Sequence, residues 1–337
     1  MIQLASNENP LGPSPKALEA MQAALRESHL YPDSDACELR ERLADRHALD
    51  PGQVLIGAGS TDLIGIIART LLGPAGDAIT SERSFIVYSM ATRQAGAKLI
   101  QVPMANDGFD LDAIRSAISP RTRLIFLANP NNPTGTRLPA DETDRFLAQV
   151  PASVTVVLDE AYYEYAEYFA EERRVPSSHS LDYLRQALRV VVLRTFSKAY
   201  GLAGIRIGYA LGPSDLVGRF AEMQSTYSIS RAAQAGALAA LEDQAHILES
   251  VTNNAAGAKW LIEEWSDLGY HPVPTWGNFL YCDIRQAADE FSTRMAKEGV
   301  LIRPLSLWGA PKAIRVTIGT GEQNRTFLGA LKKVRNL

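Results

Sequence analysis

The sequence contains few of the features that identify a class of protein function directly. Only two cysteines occur among 337 residues, Cys37 and Cys282, and no histidine cluster accompanies them. Neither a disulfide framework nor a zinc site is therefore indicated, and a reducing, cytoplasmic setting fits this cysteine usage. The net charge is only −4, from 34 basic and 38 acidic residues without basic blocks, so charge gives no support for a nucleic-acid or anionic-membrane partner.

Long hydrophobic runs are also missing. The N-terminal stretch MIQLASNENPLGPSP has no apolar signal core, and no segment approaches the uninterrupted apolar length of a membrane span. We therefore expect a protein that is neither secreted nor embedded in a membrane. With 46% hydrophobic residues, the chain can bury a sizeable core and is long enough for two domains. A small-molecule substrate is the partner that this composition favours.

Strand-like and helix-like patterns alternate through most of the chain. The candidate strands are VLIGAG, DAIT, KLIQV, RLIFLA, VTVVL, RVVVL and RIGYAL, and amphipathic stretches such as TDLIGIIARTLL separate them. Continuous apolar strands between helices predict an α/β fold with a mainly parallel sheet that is covered on both faces. Past Ser230, long helical stretches and the short strands NFLYCDI, VLIRP and AIRVTIG indicate a second, α+β domain.

Glycine-rich and polar loops follow four of the candidate strands. These loops are GAGST after VLI, PNNPTG after RLIFLA, DEAYYEY after VTVVL, and TFSK after RVVVLR. Because ligands bind beyond the carboxyl ends of parallel strands, we expect a site here. Each loop also has a plain structural interpretation: GAGST and PNNPTG make turns, and Asp159 caps a helix.

Lys198 in TFSK helps to decide between a ligand site and the plain structural interpretations of these loops. An amine at the rim of a buried sheet costs solvation free energy unless it is exposed, paired or consumed in a covalent bond. Gly201 and Gly204 lie between Lys198 and Arg206 and disfavour a regular helix, so a loop that wraps a ligand is favoured over a solvated charge pair. Pyridoxal phosphate needs an amine, a carboxylate, a phenol or amide, and a phosphate cup, and successive loops offer each.

The sequence resembles the class I/II pyridoxal-phosphate-dependent aminotransferases of fold type I, and within them the histidinol-phosphate aminotransferase group. The motifs that carry the resemblance, in order, are ASNENPLGPSP, YPDSDACELRERLA, PNNPTG, DEAYYEY, TFSKAYGLAGIRIGYA and IRVTIGT. The resemblance implies an α/β fold of the PLP-transferase type I, with a mainly parallel seven-stranded sheet between helices. It implies a large domain over residues 31–239 and a smaller α+β domain from residues 1–30 and 240–337. The implied cofactor is pyridoxal 5'-phosphate, and the implied assembly is a homodimer.

Cofactor-binding roles follow from the resemblance. Lys198 matches the Schiff-base lysine that also carries the proton, and Asp159 matches the carboxylate that pairs with the pyridinium nitrogen. Tyr162 and Asn132 match the groups that bond the phenolic oxygen of the ring. The phosphate cup is expected from Ser60, Thr61, Thr195, Ser197 and Arg206.

The resemblance also places residues around the ring and the substrate. Tyr88 lies where an aromatic ring stacks on the cofactor, and Phe85 is the alternative residue for this role. Tyr31 matches the tyrosine that reaches the cofactor phosphate of a neighbouring subunit. The groups expected to meet the substrate are Arg315 for the α-carboxylate, Arg303 for a distal phosphate or glutamate's side-chain carboxylate, and Asn7 and Asn9 in the segment that closes over the site. Because the chain starts almost at ASNENP, arm contacts made by many relatives are expected to be missing.

The implied activity is transamination in two half-reactions. Glutamate and 2-oxoglutarate are the expected amine donor and its product, and histidinol phosphate or an aromatic amino acid is the expected partner substrate. A decarboxylase of the threonine-phosphate type remains an alternative. A regulator would need an N-terminal DNA-binding domain, for which we expect no room, and a dinucleotide-dependent oxidoreductase would need the GxGxxG turn that the first strand-helix unit lacks.

Overall fold

The computed structural model describes residues 1–335, which form fourteen strands and thirteen α-helices numbered in chain order. The strands are β1 (Ile2–Gln3), β2 (Val54–Gly57), β3 (Asp77–Ser81), β4 (Lys98–Val102), β5 (Met104–Ala105), β6 (Gly108–Phe109), β7 (Thr122–Ala128), β8 (Thr155–Asp159), β9 (Val190–Thr195), β10 (Gly208–Leu211), β11 (Phe279–Asp283), β12 (Val300–Leu301), β13 (Arg303–Leu305) and β14 (Ala310–Thr317). The helices are α1 (Pro15–Leu25), α2 (Cys37–His47), α3 (Ser60–Leu71), α4 (Val87–Gln94), α5 (Leu111–Ser116), α6 (Ala140–Leu147), α7 (Tyr163–Arg173), α8 (Ser180–Arg185), α9 (Ser214–Glu222), α10 (Arg231–Leu241), α11 (Gln244–Asp267), α12 (Ala288–Lys297) and α13 (Gly321–Val334).

The seven strands expected in the large sheet pair in the order β2-β10-β9-β8-β7-β3-β4. β10 runs antiparallel to both of its neighbours, and the pairs from β9 to β4 are parallel. Every residue of β8 and β9 is buried, as expected for strands with helices on both faces. The prediction of an α/β fold with a mainly parallel seven-stranded sheet is confirmed.

Strand register aligns the functional loops at one edge of this sheet. Ala128 at the end of β7 pairs with Asp159 at the end of β8, and Asp159 pairs with Leu193 in β9. On the other side of β9, Thr195 pairs with Gly208 of β10, which in turn pairs with Gly57. The loops after β2, β7, β8 and β9 therefore meet, because parallel strands bring their carboxyl ends together.

A smaller core forms around the three-stranded antiparallel sheet β11-β14-β13. Large side chains from three helices fill it, namely Trp265 of α11, Phe291 of α12 and Phe327 of α13. β1 pairs in parallel with β12, which brings Leu4 into the same core. The N-terminus is thereby fixed beside the strands that carry Arg303 and Arg315.

Helix α1 packs against the core of the large sheet, although the expected domain boundary at residue 30 assigns it to the smaller domain. Its buried residues Ala17 and Met21 belong to the hydrophobic cluster of the large sheet, and a Cβ atom at Gly236 of α10 would lie 2.6 Å from Met21 Cγ. Ile2 and Leu4 instead pack with the smaller core. The first 30 residues thus divide between the two cores, because the apolar face of α1 fits the small-residue surface of α10. The exact domain limits stay a prediction.

Two further properties concern the described residues as a whole. None of their helices is long and apolar enough to cross a membrane, and they hold no cluster of three or more residues with metal-ligand side chains. Both cysteines are free thiols; Cys282 is buried in the smaller core and Cys37 is partly exposed at the start of α2.

Candidate active site

A cavity of about 380 Å³ lies at the carboxyl edge of the large sheet. Residues from the N-terminal segment and from the small antiparallel sheet complete its lining. The structure brings together all the residues predicted for the site except Asn9, Tyr31 and Tyr88: Asn7, Ser60, Thr61, Asn132, Asp159, Tyr162, Thr195, Ser197, Lys198, Arg206, Arg303 and Arg315. Strand order thus accounts for a cluster that is scattered over the whole sequence.

Lys198 follows β9 and extends its amine into the cavity. Its Nζ atom donates to the carbonyl oxygen of Ser6 at 3.2 Å. Burial lowers the pKa of the amine to about 7, and the positive charges of Arg315 and Arg206 act in the same direction. An amine with this pKa can be neutral enough to act as a nucleophile and can also exchange a proton near neutral pH.

Asp159 closes β8 and is almost completely buried. Burial raises the pKa of its carboxyl group to about 6, although hydrogen bonds from Tyr88 and from the Ala161 backbone oppose this shift. The Tyr88 hydroxyl donates to Oδ2 at 2.8 Å, and the Ala161 N–H donates to Oδ1 at 3.3 Å. A buried carboxylate with neutral donors is well suited to a cationic N–H partner in the cavity.

Tyr88 does not line the cavity, which corrects its predicted stacking position. Its ring is fully buried and stacks on Phe126 with centroids 4.6 Å apart, while its hydroxyl bonds Asp159. Phe85, the rival in the same segment, lines the cavity and meets Tyr88 edge-on. The chain turns into α4 between these residues, so Phe85 faces the cavity and Tyr88 faces the sheet. A buried tyrosine needs a partner for its hydroxyl, and Asp159 provides it.

The loop before α3 and the loop after β9 form an anion-binding corner. Gly59 has a φ of +88°, and a Cβ atom there would lie 2.3 Å from Arg206 Nη2. Thr195 Oγ1 donates to Ser197 Oγ at 2.9 Å, and Arg206 Nη1 approaches the same oxygen at 3.5 Å. The amino end of the twelve-residue helix α3, two hydroxyls and a guanidinium therefore lie at one place, as a phosphate requires.

Arg303 and Arg315 face each other across the β13–β14 pair. Both donate to the carbonyl oxygen of Ala5, from Arg315 Nη2 at 2.7 Å and from Arg303 Nε at 3.2 Å, and Arg315 Nη1 also donates to Asn132 Oδ1. Burial lowers the pKa of Arg315 to about 10, with the Arg303 charge as a further cause. Two neighbouring cations, one with a buried unpaired Nε, make a strong anion site.

Tyr31 lies outside the cavity of its own chain. Its side chain is 77% exposed and stacks on Tyr227 with ring centroids 4.6 Å apart. At this position Tyr31 does not line the cavity of its own chain. Its exposed ring is accessible to a neighbouring subunit.

The contacts of the N-terminal strap, which we define as residues 5–9, were not predicted from the sequence. Asn7 donates from Nδ2 to the Tyr162 hydroxyl at 2.8 Å, and Asn9 donates from Nδ2 to the Ala199 carbonyl and to Ser250 Oγ. The motif ASNENP predicts a segment near the substrate. The partners of Asn7 and Asn9 could not be predicted, because they depend on the pairing of β1 with β12, which the local sequence does not indicate. Ile86 and Trp308 were also missed as lining residues.

Comparisons with known proteins agree with this geometry. The family described as "Aminotransferase class I and II" matches residues 1–331. Histidinol-phosphate aminotransferase 2 of Pseudomonas aeruginosa is 45% identical over 334 residues, which cover 99% of this chain and 89% of that protein. The crystal structure of histidinol-phosphate aminotransferase from Sinorhizobium meliloti in complex with pyridoxal-5'-phosphate has a TM-score of 0.91 at 29% identity, covering 99% of this chain and 90% of that one.

A second solved structure shows how widely the fold is shared. L-threonine-O-3-phosphate decarboxylase from Porphyromonas gingivalis has a TM-score of 0.87 at 24% identity, with 100% of both chains covered. This likeness concerns the fold alone, whereas the full-length family match and the 45% identity extend to sequence. The resemblance found in the sequence motifs is therefore confirmed, and the chain belongs to the class I and II aminotransferase family.

Proposed function

We propose that this pyridoxal 5'-phosphate-dependent aminotransferase moves an amino group from glutamate to imidazole acetol phosphate, with 2-oxoglutarate and histidinol phosphate as products. The observation that carries the proposal is the single cavity in which the Lys198 amine, the buried Asp159 carboxylate and the Arg303–Arg315 pair meet. The identities of the related enzymes support the choice of substrate.

The residues of the cavity fit the cofactor. Lys198 offers an amine to its aldehyde, Asp159 a carboxylate to its ring nitrogen, and Tyr162 and Asn132 polar groups to its ring oxygen. The glycine at position 59 leaves the space beside Arg206 in which a phosphate would be held. When bound, the cofactor supplies an electron-withdrawing ring that stabilises negative charge on the α-carbon of the substrate.

The side chains of the protein divide the remaining tasks. Lys198 would hold the cofactor through its amine and, once freed by substrate, would take the proton from the substrate α-carbon, for which an amine pKa of about 7 is well matched. Asp159 would keep the ring nitrogen protonated, and the Tyr88 hydroxyl holds the Asp159 carboxylate in place through its hydrogen bond to Oδ2. Phe85 lines the cavity, where its ring would cover a face of the cofactor and exclude water from it.

The two arginines serve one anion site in both half-reactions. Glutamate presents an α-carboxylate, whereas histidinol phosphate has no α-carboxylate and instead carries its phosphate on the adjacent carbon. Because Arg303 and Arg315 share the Ala5 acceptor, they can bind either anion at one place. The sequence predicts Arg315 for the α-carboxylate and Arg303 for a distal phosphate or glutamate's side-chain carboxylate. The pairing of Arg303 with Arg315 in register supports one shared site instead.

A homodimer in the cytoplasm completes the proposal. Tyr31, Tyr227 and Leu30 expose large apolar side chains close together in sequence or space, as a surface covered by a second subunit does. Tyr31 would then reach the phosphate corner of the partner. The two free cysteines fit a reducing compartment.

The test is a panel of amine donors with purified enzyme and 2-oxoglutarate. Histidinol phosphate, phenylalanine, tyrosine and threonine phosphate are compared by the change in cofactor absorbance, glutamate formation and carbon dioxide release. Histidinol phosphate should give the highest kcat/KM and no carbon dioxide. Faster turnover of an aromatic amino acid would change the substrate assignment, and carbon dioxide from threonine phosphate would favour the decarboxylase.

A further inference from the structure

The N-terminal strap is bonded to the same groups that bind cofactor and substrate. The Ala5 carbonyl accepts from Arg303 and Arg315, and the Ser6 carbonyl accepts from Lys198. The next residue, Asn7, donates its side-chain amide to the Tyr162 hydroxyl at 2.8 Å. Asn7 is therefore the point at which the strap meets a phenol of the cavity.

Asn7 is fixed by more than this one bond. Its side chain is 1% exposed, and its φ of +55° lies in the left-handed region that asparagine tolerates. Its backbone N–H donates to Thr317 Oγ1 at 2.9 Å, and its carbonyl oxygen accepts from Asn278 Nδ2 at 3.1 Å. The amide is consequently held at one position beside Tyr162.

The surroundings also set the direction of the Asn7–Tyr162 hydrogen bond. Thr317 Oγ1 already accepts the Asn7 N–H, so its own proton is available to the Asn7 Oδ1 atom at 3.4 Å. This arrangement turns Nδ2 toward Tyr162, whose oxygen then acts as the acceptor. No protein group among residues 1–335 accepts the proton of that phenol, and Tyr162 lines the cavity.

We propose that Asn7 is a positioning residue for Tyr162, which it holds with the phenolic proton directed at the ring oxygen of the bound cofactor. This inference rests on the proposed role of Tyr162. A phenol that accepts one hydrogen bond becomes a stronger donor through its own proton. Donation to the ring oxygen stabilises the negative charge left when the cofactor–lysine chromophore loses its proton, so it lowers the pKa of that chromophore.

The experiment is a pH titration of the visible absorbance of the holoenzyme without substrate. Asn7→Gly removes the amide and keeps the left-handed backbone free of strain, so this variant should fold. Its chromophore pKa should rise by roughly 0.3–1 pH unit, the size expected from weakening one neutral hydrogen bond. Asn9→Ala is the matched control, because Asn9 anchors the same strap to Ala199 and Ser250 without contacting Tyr162, and it should leave the chromophore pKa unchanged.

Tyr162→Phe provides the decisive comparison. This variant should raise the chromophore pKa by itself, and adding Asn7→Gly to it should produce no further rise. An unchanged or lower pKa in Asn7→Gly, an equal rise in Asn9→Ala, or a full further rise in the double variant would overturn the role of Asn7 while leaving the proposed function intact. If Tyr162→Phe itself produced no rise, the assignment of Tyr162 to the ring oxygen would fail, and the inference with it.

Discussion

The hydroxyl of Tyr88 donates a 2.8 Å hydrogen bond to Oδ2 of Asp159 from a position with no exposed surface. Tyr88 thus binds the carboxylate without lining the cavity, whereas Asp159 itself lines the cavity. The bond favours the ionised form of Asp159, which burial disfavours. The balance between these effects sets the pH range in which Asp159 stays ionised.

Tyr88→Phe should therefore raise the pKa of Asp159 above its present value of about 6. Because the ionised carboxylate is the active form, the acid limb of the kcat/KM profile should move to higher pH. Losing a hydrogen bond to a charged group, about 1.5 kcal/mol, corresponds to a shift of about one pH unit in this limb and to roughly tenfold lower activity at pH values below it.

Tyr183→Phe is the matched control, since the Tyr183 hydroxyl bonds Asp144 away from the cavity. It should leave the profile where it is. An acid limb that moved equally in both variants, or in neither, would count against the positioning role of Tyr88.

Asp159→Asn should retain cofactor but reduce turnover by roughly a hundredfold or more, about 3 kcal/mol, because an amide cannot hold the ring nitrogen protonated. In the wild-type apoenzyme, protonation of Asp159 as the pH falls through about 6 should weaken cofactor binding. The asparagine variant should lack this pH dependence. Binding titrations from pH 5 to 8 measure it, and near-normal turnover in the variant would reduce Asp159 to a structural residue.

The large sheet and most of the residues that line the cavity could be predicted from the sequence for a physical reason. Buried parallel strands are continuous apolar runs, and each run ends where a polar loop begins, as at Asp159 and Thr195. Residues in such loops are placed by strand order, so local pattern and family motif lead to the same cluster. The positions of Lys198 and Arg206 in the cavity could be predicted without knowledge of contacts between distant segments.

Other features depended on packing that the sequence does not encode locally. Phe85 and Tyr88 lie three residues apart across the start of α4, and only the turn of the chain decides which ring faces the cavity. The pairing of Arg303 with Arg315 depends on strand register, and the contact of Asn7 with Tyr162 spans 155 residues. These are tertiary relationships between segments that give no signal about each other.

Arg303→Ala should weaken glutamate and histidinol phosphate together, because the variant removes one cation of a shared anion site. The Arg303 side chain is only partly buried, so we expect about 2 kcal/mol, the lower end of the range for charge pairs in binding sites. Histidinol phosphate, whose phosphate carries more charge than a carboxylate, should lose at least as much kcat/KM as glutamate. A loss of kcat/KM for glutamate alone would show that the two anions bind at separate subsites.

Gly59→Ala should reduce cofactor affinity by roughly tenfold or more, since its Cβ atom would displace Arg206 from the phosphate corner and the backbone has a φ of +88°. Gly269→Ala is the control: its φ is +82°, but a Cβ atom there meets nothing within 4 Å. Gly59→Ala should also cost more thermal stability than Gly269→Ala, because Gly59 combines its positive φ with a ψ of 164°, a region open essentially to glycine alone. Equal cofactor affinity in the two would show that the corner at Gly59 does not bind the phosphate.

The most direct test of the account is to identify the lysine that holds the cofactor. Borohydride reduction of the holoenzyme, followed by peptide mass mapping, fixes the cofactor to its lysine and shows the position. We expect one modified site, Lys198, and no modification after Lys198→Ala, because this amine lies in the cavity with a pKa of about 7. Modification of another lysine in the wild-type enzyme, or an unreduced cofactor beside an unmodified Lys198, would contradict it.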